Sequence, residues 1–84
     1  MVLEIITPKS TFYKGEVFLV RVPGSKGSFA MMSNHAPIVS SLNPGLVRVV
    51  EQDKNVVEFE IVESGIVEFK KNRILILTES IRKM

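Results

Sequence analysis

The 84 residues include no cysteine, no tryptophan and a single histidine. A disulfide is therefore excluded, a thiolate zinc site is unavailable, and an imidazole–metal cluster has too few donors. No apolar run exceeds four residues, whereas a membrane-spanning helix needs about 20. The N-terminus, Met1-Val2-Leu3-Glu4, lacks a basic region before a long apolar stretch, so no signal peptide is expected. Charge is mild: 11 Lys and Arg stand against 9 Asp and Glu, a net charge of +2. The basic residues run from Lys9 to Lys83 without a cluster, which argues against a dedicated nucleic-acid surface.

What is present is apolar. Residues of that type make up 45% of the chain and charged ones 24%, a balance of a folded domain rather than a disordered segment. A chain this short folds as one domain with one thin core, burying roughly 60–65% of its extended surface. Val57-Glu58-Phe59-Glu60-Ile61 alternates with period two, so Val57, Phe59 and Ile61 should face a core and both glutamates water. Ile66-Val67-Glu68-Phe69 continues in that style. Val17-Phe18-Leu19-Val20 and Ile74-Leu75-Ile76-Leu77 are wholly apolar and suit strands covered on both faces.

Turn signals separate these runs. Pro8 ends the first, Pro23-Gly24-Ser25-Lys26-Gly27 forms a loop, and Asn43-Pro44-Gly45 a tight turn. Asp53-Lys54-Asn55 and Lys70-Lys71-Asn72-Arg73 read as hairpin connections, and Ser64-Gly65 as a bulge or sharp bend. The expected fold is all-β, a small sandwich or flattened barrel of about eight to ten short strands. The sandwich domain should span residues 1–79, with 80–84 a short tail.

Chemistry is sparse. Ser33, His35, Ser40 and Ser41 are close in sequence, but no G-x-S-x-G elbow supports a nucleophile. Glu58, Glu60, Glu63 and Glu68 could suggest paired catalytic carboxylates, but Glu58 and Glu60, on an alternating strand, read more simply as a solvated face. Gly24-Ser25-Lys26-Gly27 is not a phosphate loop, since a β run and not a helix follows it. A small nucleic-acid-binding barrel is the competing class, and Phe12-Tyr13-Lys14 is the one aromatic–basic cluster that could serve it. His35, in Ser33-Asn34-His35-Ala36-Pro37, either holds its own turn or touches a partner. One of Met31 and Met32 should point away from the core as a soft contact.

Taken in order, the motifs resemble the N-terminal β-sandwich domain of the epsilon subunit of F-type ATP synthases. The resemblance runs through Leu3-Glu4-Ile5-Ile6-Thr7-Pro8, Gly15-Glu16-Val17 and the stretch from Pro23 to Ile38. It continues through Leu42-Asn43-Pro44-Gly45, Gly65-Ile66-Val67-Glu68-Phe69 and Ile76-Leu77-Thr78-Glu79. The chain departs from the family pattern at Ala30, at Glu63-Ser64-Gly65, and at Ser28, where some members carry an acid.

The resemblance implies a non-catalytic rotor part with no cofactor. It would link the gamma subunit to the membrane ring of c subunits and help couple proton or sodium flow to ATP synthesis. It would sit peripherally on the cytoplasmic face of a bacterial inner membrane, or at the organellar equivalent. The family's C-terminal helical hairpin is not expected here, nor is inhibition or nucleotide sensing through it. Carried over residue by residue, Thr7, Met31, Met32, His35, Ser40 and Glu68 would face gamma. Ser25, Lys26, Gly27, Ser28 and Phe29 would face the ring.

Overall fold

In the computed structural model, which describes residues 1–84, the chain forms nine strands and no helix. In chain order they are β1 (Val2–Ile6), β2 (Thr11–Val22), β3 (Phe29–Met31), β4 (Ile38–Leu42) and β5 (Gly45–Glu51). Then follow β6 (Val56–Ile61), β7 (Gly65–Lys70), β8 (Arg73–Thr78) and β9 (Ile81–Lys83).

Strand β2 joins two sheets. Its first half pairs with β1, and its second half lies between β5 and β3. The register shifts between Val17 and Leu19, leaving Phe18 as an extra residue. Such a bulge bends the strand and lets it leave one layer for the other. The first sheet therefore runs β4-β7-β8-β1-β2 and the second β3-β2-β5-β6-β9. All pairings are antiparallel except β1 with β8.

Fifteen buried apolar side chains fill the space between the layers. Leu3, Ile5, Val67, Phe69, Ile74 and Ile76 come from the first sheet. Val20, Val22, Met31, Val47, Val49, Phe59 and Ile61 come from the second. Each set sits at every other position of its strand, as pleating requires. No buried polar side-chain atom lacks a hydrogen-bond partner, so the thin core carries no unmet desolvation cost.

The turns follow their chemistry. Lys71 and Asn72 form a two-residue hairpin loop with φ of 53° and 57°, both positive as a type I′ turn requires. Residues 62–64 carry the chain from β6 in the second sheet to β7 in the first, so Ser64-Gly65 marks a corner between layers. The bulges lie elsewhere, at Ile5/Ile6 and Val17/Leu19.

Two expectations are corrected. The runs at 17–20 and 74–77 are not covered on both faces: Phe18 is 50% exposed and Leu77 43%. A two-layer sandwich covers only one side of each strand. The segment 80–84, expected as a tail, carries β9, in which Ile81 pairs with Ile61 and Arg82 with Glu60.

Candidate functional site

The two outer faces of the sandwich differ in kind. On the second sheet, charges pair across strands: Arg48 Nη1 lies 3.3 Å from Glu58 Oε2, and Arg82 Nη2 lies 2.6 Å from Glu60 Oε1. These are the molecule's two salt bridges. Exposed pairs of this type add little stability but keep a face wet and self-satisfied.

The first sheet presents apolar side chains instead. Ile66 sits opposite Leu77, and Leu77 opposite Ile6, in one row across β7, β8 and β1. The next row reads Val39, Glu68, Leu75 and Glu4. Val39, Ile66 and Leu77 are large and exposed. Along the first row lies a shallow cleft of about 410 Å³, lined by Ile6, Ile66 and Leu77 together with Thr7, Pro8 and Glu79. Single exposed apolar residues are ordinary, but a contiguous row of them on one sheet marks a face that expects cover.

At the opposite end of this sheet sits the His35 loop. Its backbone turns at Asn34, with φ of 68°, and the His35 amide donates to the Met32 carbonyl at 3.1 Å. The His35 Nδ1 lies 2.6 Å from the Ala36 carbonyl oxygen. A carbonyl only accepts, so Nδ1 is the donor in this contact. The ring also rests on Phe69, with centroids 5.4 Å apart. His35 thus braces its own turn, and no serine hydroxyl engages it. Two of the nearby serines are engaged elsewhere: Ser41 Oγ lies 2.6 Å from Ser25 Oγ, and Ser40 Oγ donates to the Ser41 carbonyl at 3.0 Å.

The loop at 25–29 lies against the edge of β4. The Ser25 amide donates to the Ser41 carbonyl at 2.9 Å, and Gly24 bridges to Leu42. A Cβ on Gly24 would meet the Gly27 carbonyl oxygen at 2.6 Å and the Phe29 ring at 2.7 Å, so only glycine lets this loop close. Ser25, Lys26, Gly27, Ser28 and Phe29 then share a groove with Ile38 to Ser41.

The residues assigned to gamma do not form one cluster. Met31 is fully buried in the core; pleating leaves Met32 as the exposed member of the pair. Ser40 lines the groove of the 25–29 loop. Glu68 lies on the outer face of the first sheet, Thr7 at its cleft end, and His35 at the other end. The residues assigned to the ring do fall together. Ile6, Ile66, Leu75 and Leu77 were not singled out from sequence as surface residues. For Leu75 and Leu77 the signal was the unbroken apolar run, half of which has no layer over it; for Ile66 it was its place in phase with Glu68 on β7.

The aromatic–basic cluster gives no base-stacking platform. Phe12 and Tyr13 both pack edge-on against Phe59, at 5.5 and 5.4 Å. The Tyr13 hydroxyl donates to Glu51 Oε2 at 2.7 Å. Burial first, and that hydrogen bond second, hold its phenol well above the ordinary range.

Comparison with known proteins agrees with this architecture. Residues 1–84 match the family described as ATP synthase, Delta/Epsilon chain, beta-sandwich domain. The ATP synthase epsilon chain of Chlorobium limicola is 40% identical over 79 residues, covering 94% of this chain and 89% of that one. That of Leptospira interrogans is 42% identical over 77 residues, and there the chain spans 59% of the relative's length. A chain of the Euglena gracilis mitochondrial ATP synthase, 18% identical, superposes with a TM-score of 0.90 over 99% of this chain and 52% of its own, a likeness of fold. The match over the whole chain and the identity to a relative that it largely covers place the chain in the ATP synthase delta/epsilon β-sandwich family.

Proposed function

We propose that the chain is a non-catalytic rotor subunit of an F-type ATP synthase, seated between the gamma subunit of the central stalk and the membrane ring. The observation that carries this reading is the row Ile66–Leu77–Ile6 on the first sheet, open to solvent and free of ion pairs. A face of this type fits a lasting protein partner. Gamma would cover it, with Thr7 and Glu68 on the same face and Met32 and His35 at one end. The loop at 25–29, on the β4 edge, would meet the ring. A stiff sandwich tied through β2 suits torque transfer, since both contacts then belong to one body. The subunit would work within a membrane-associated complex, on the cytoplasmic face of a bacterial inner membrane or its organellar counterpart.

Co-expression with the gamma subunit of the same source tests the proposal. The two chains should co-purify and co-elute as one complex in size-exclusion chromatography. Separate elution of two folded proteins would refute it.

A further inference from the structure

All nine acidic residues lie outside the stretch from Val17 to Val50. That stretch supplies the second half of β2, the loop at 25–29, β3, β4 and most of β5. Its cations are Arg21, Lys26 and Arg48. Folding brings Arg21 and Arg48 face to face, since their Cα positions are partners in the β2–β5 ladder. Like charges directly opposite each other on a sheet are unfavourable.

The other acids on this face do not relieve Arg21. Glu58 is taken by Arg48 and Glu60 by Arg82. Arg21 has no carboxylate, and its guanidinium reaches only the Ser28 hydroxyl, at 3.5 Å. That contact ties it to the loop carrying Lys26. Both Arg21 and Lys26 are exposed. Gly27, with φ of 127° and open space around it, adds no side chain between them. The result is a cationic corner with a solvent-facing planar fork that has no carboxylate partner, held on a strand opposite a second arginine.

We infer that the Arg21–Lys26–Ser28 corner docks a carboxylate-bearing loop of a protein partner at the ring-facing end of the sandwich. The inference rests on the rotor reading and adds the chemistry of the contact. Charge complementarity selects the partner: an arginine fork matches a carboxylate in two parallel hydrogen bonds. An anionic lipid surface is the less suitable occupant, because such surfaces are held by clusters of about 4–8 basic residues.

The test uses the gamma complex of this chain, unaltered or as Arg21→Gln/Lys26→Gln, and the detergent-solubilised ring from the same source. Association rates are read at low and high salt. The double variant should lose roughly tenfold in rate at low salt, and most of its salt dependence. Its gamma affinity should be unchanged, and its melting temperature unchanged or raised, because the Arg21–Arg48 opposition is gone. Vesicles of phosphatidylcholine with and without phosphatidylglycerol should bind neither complex. Equal ring association by both complexes overturns this inference and leaves the rotor reading standing. Binding to phosphatidylglycerol vesicles that the double variant abolishes, without change in ring association, assigns the corner to lipid and overturns it too. Failure of the unaltered complex to bind the ring overturns both readings.

Discussion

Asn72 clasps the His35 loop: its Oδ1 accepts the backbone amide of Asn34 at 2.8 Å, across a sequence gap of 38 residues. The two side chains also meet, Asn72 Nδ2 to Asn34 Oδ1 at 3.5 Å. Asn72 does this from a left-handed turn position with φ of 57°. Glycine keeps that backbone and removes the clasp. Asn72→Gly should therefore lower stability by about 1 kcal/mol, the worth of one ordinary hydrogen bond. Exchange of the Asn34 amide should quicken by more than the global loss explains. Asn72→Ala adds roughly 1–2 kcal/mol for a Cβ in the left-handed region. Equal unfolding free energies for the two variants would contradict this account.

Tyr13 should make the fold sensitive to alkali. Burial, and then the hydrogen bond to Glu51, raise its phenol above the ordinary 10.0 in the folded chain. The unfolded chain ionises near the ordinary value and so binds fewer protons above about pH 10. Stability should fall as pH rises past that point, by at most about 1.4 kcal/mol per pH unit from this group. Below it both states hold the proton and Tyr13 adds no slope. This is the chain's single tyrosine, so tyrosinate absorbance is a clean reporter. It should rise together with loss of the β-sheet dichroism. A phenolate signal appearing near pH 10 with the dichroism intact would show that the phenol is not held.

Gly65 begins β7 under close contact. A Cβ there would meet the Leu77 carbonyl oxygen at 2.8 Å and Thr78 Cβ at 3.3 Å. The carbonyl belongs to backbone and cannot swing aside. Thr78 is itself fixed, its hydroxyl donating to the Ser64 carbonyl at 2.7 Å. Gly65→Ala should cost about 1–3 kcal/mol, as overpacking does, seen as a lower urea midpoint with an unchanged slope. A midpoint equal to that of the unaltered chain would show that the corner yields freely.

Much of this fold can be read from alternation and turn residues. Val57, Phe59 and Ile61 face inward because a period of two leaves no other choice once one face is buried. The bulge at Phe18 could not be read, since the run Val17-Phe18-Leu19-Val20 has no polar residue to betray a slip in phase. β9 was missed because three residues carry too little pattern, and it is the pairing with β6 that makes them a strand. The loop at 25–29 was legible as a tight connection, the glycine before it marking the closure. Met31 shows the opposite case. A family motif places it beside its neighbour Met32, but pleating sends the two to opposite sides. The clasp of Asn72 joins residues far apart in the chain, and no local pattern records it.

The apolar row of the first sheet gives the sharpest test of partnership. Ile66 and Leu77 are cross-strand partners, 49% and 43% exposed, and line the cleft together with Thr7. In the free subunit a charge at either position meets water, so stability should change by about 0.5 kcal/mol or less. Under a partner the same charge is stripped of solvent without a counter-ion, which costs several kcal/mol. Ile66→Glu and Leu77→Glu should therefore each weaken association with gamma by roughly a hundredfold or more, the equivalent of ~2.7 kcal/mol, while the melting temperature stays near that of the unaltered chain. Leu46→Glu, equally exposed at 44% on the second sheet, serves as the control and should bind gamma normally. The measurement is titration calorimetry with purified gamma, paired with thermal denaturation of each free variant. If Leu46→Glu abolishes binding and the first-sheet variants do not, gamma sits on the second sheet and the proposed orientation of the sandwich is reversed.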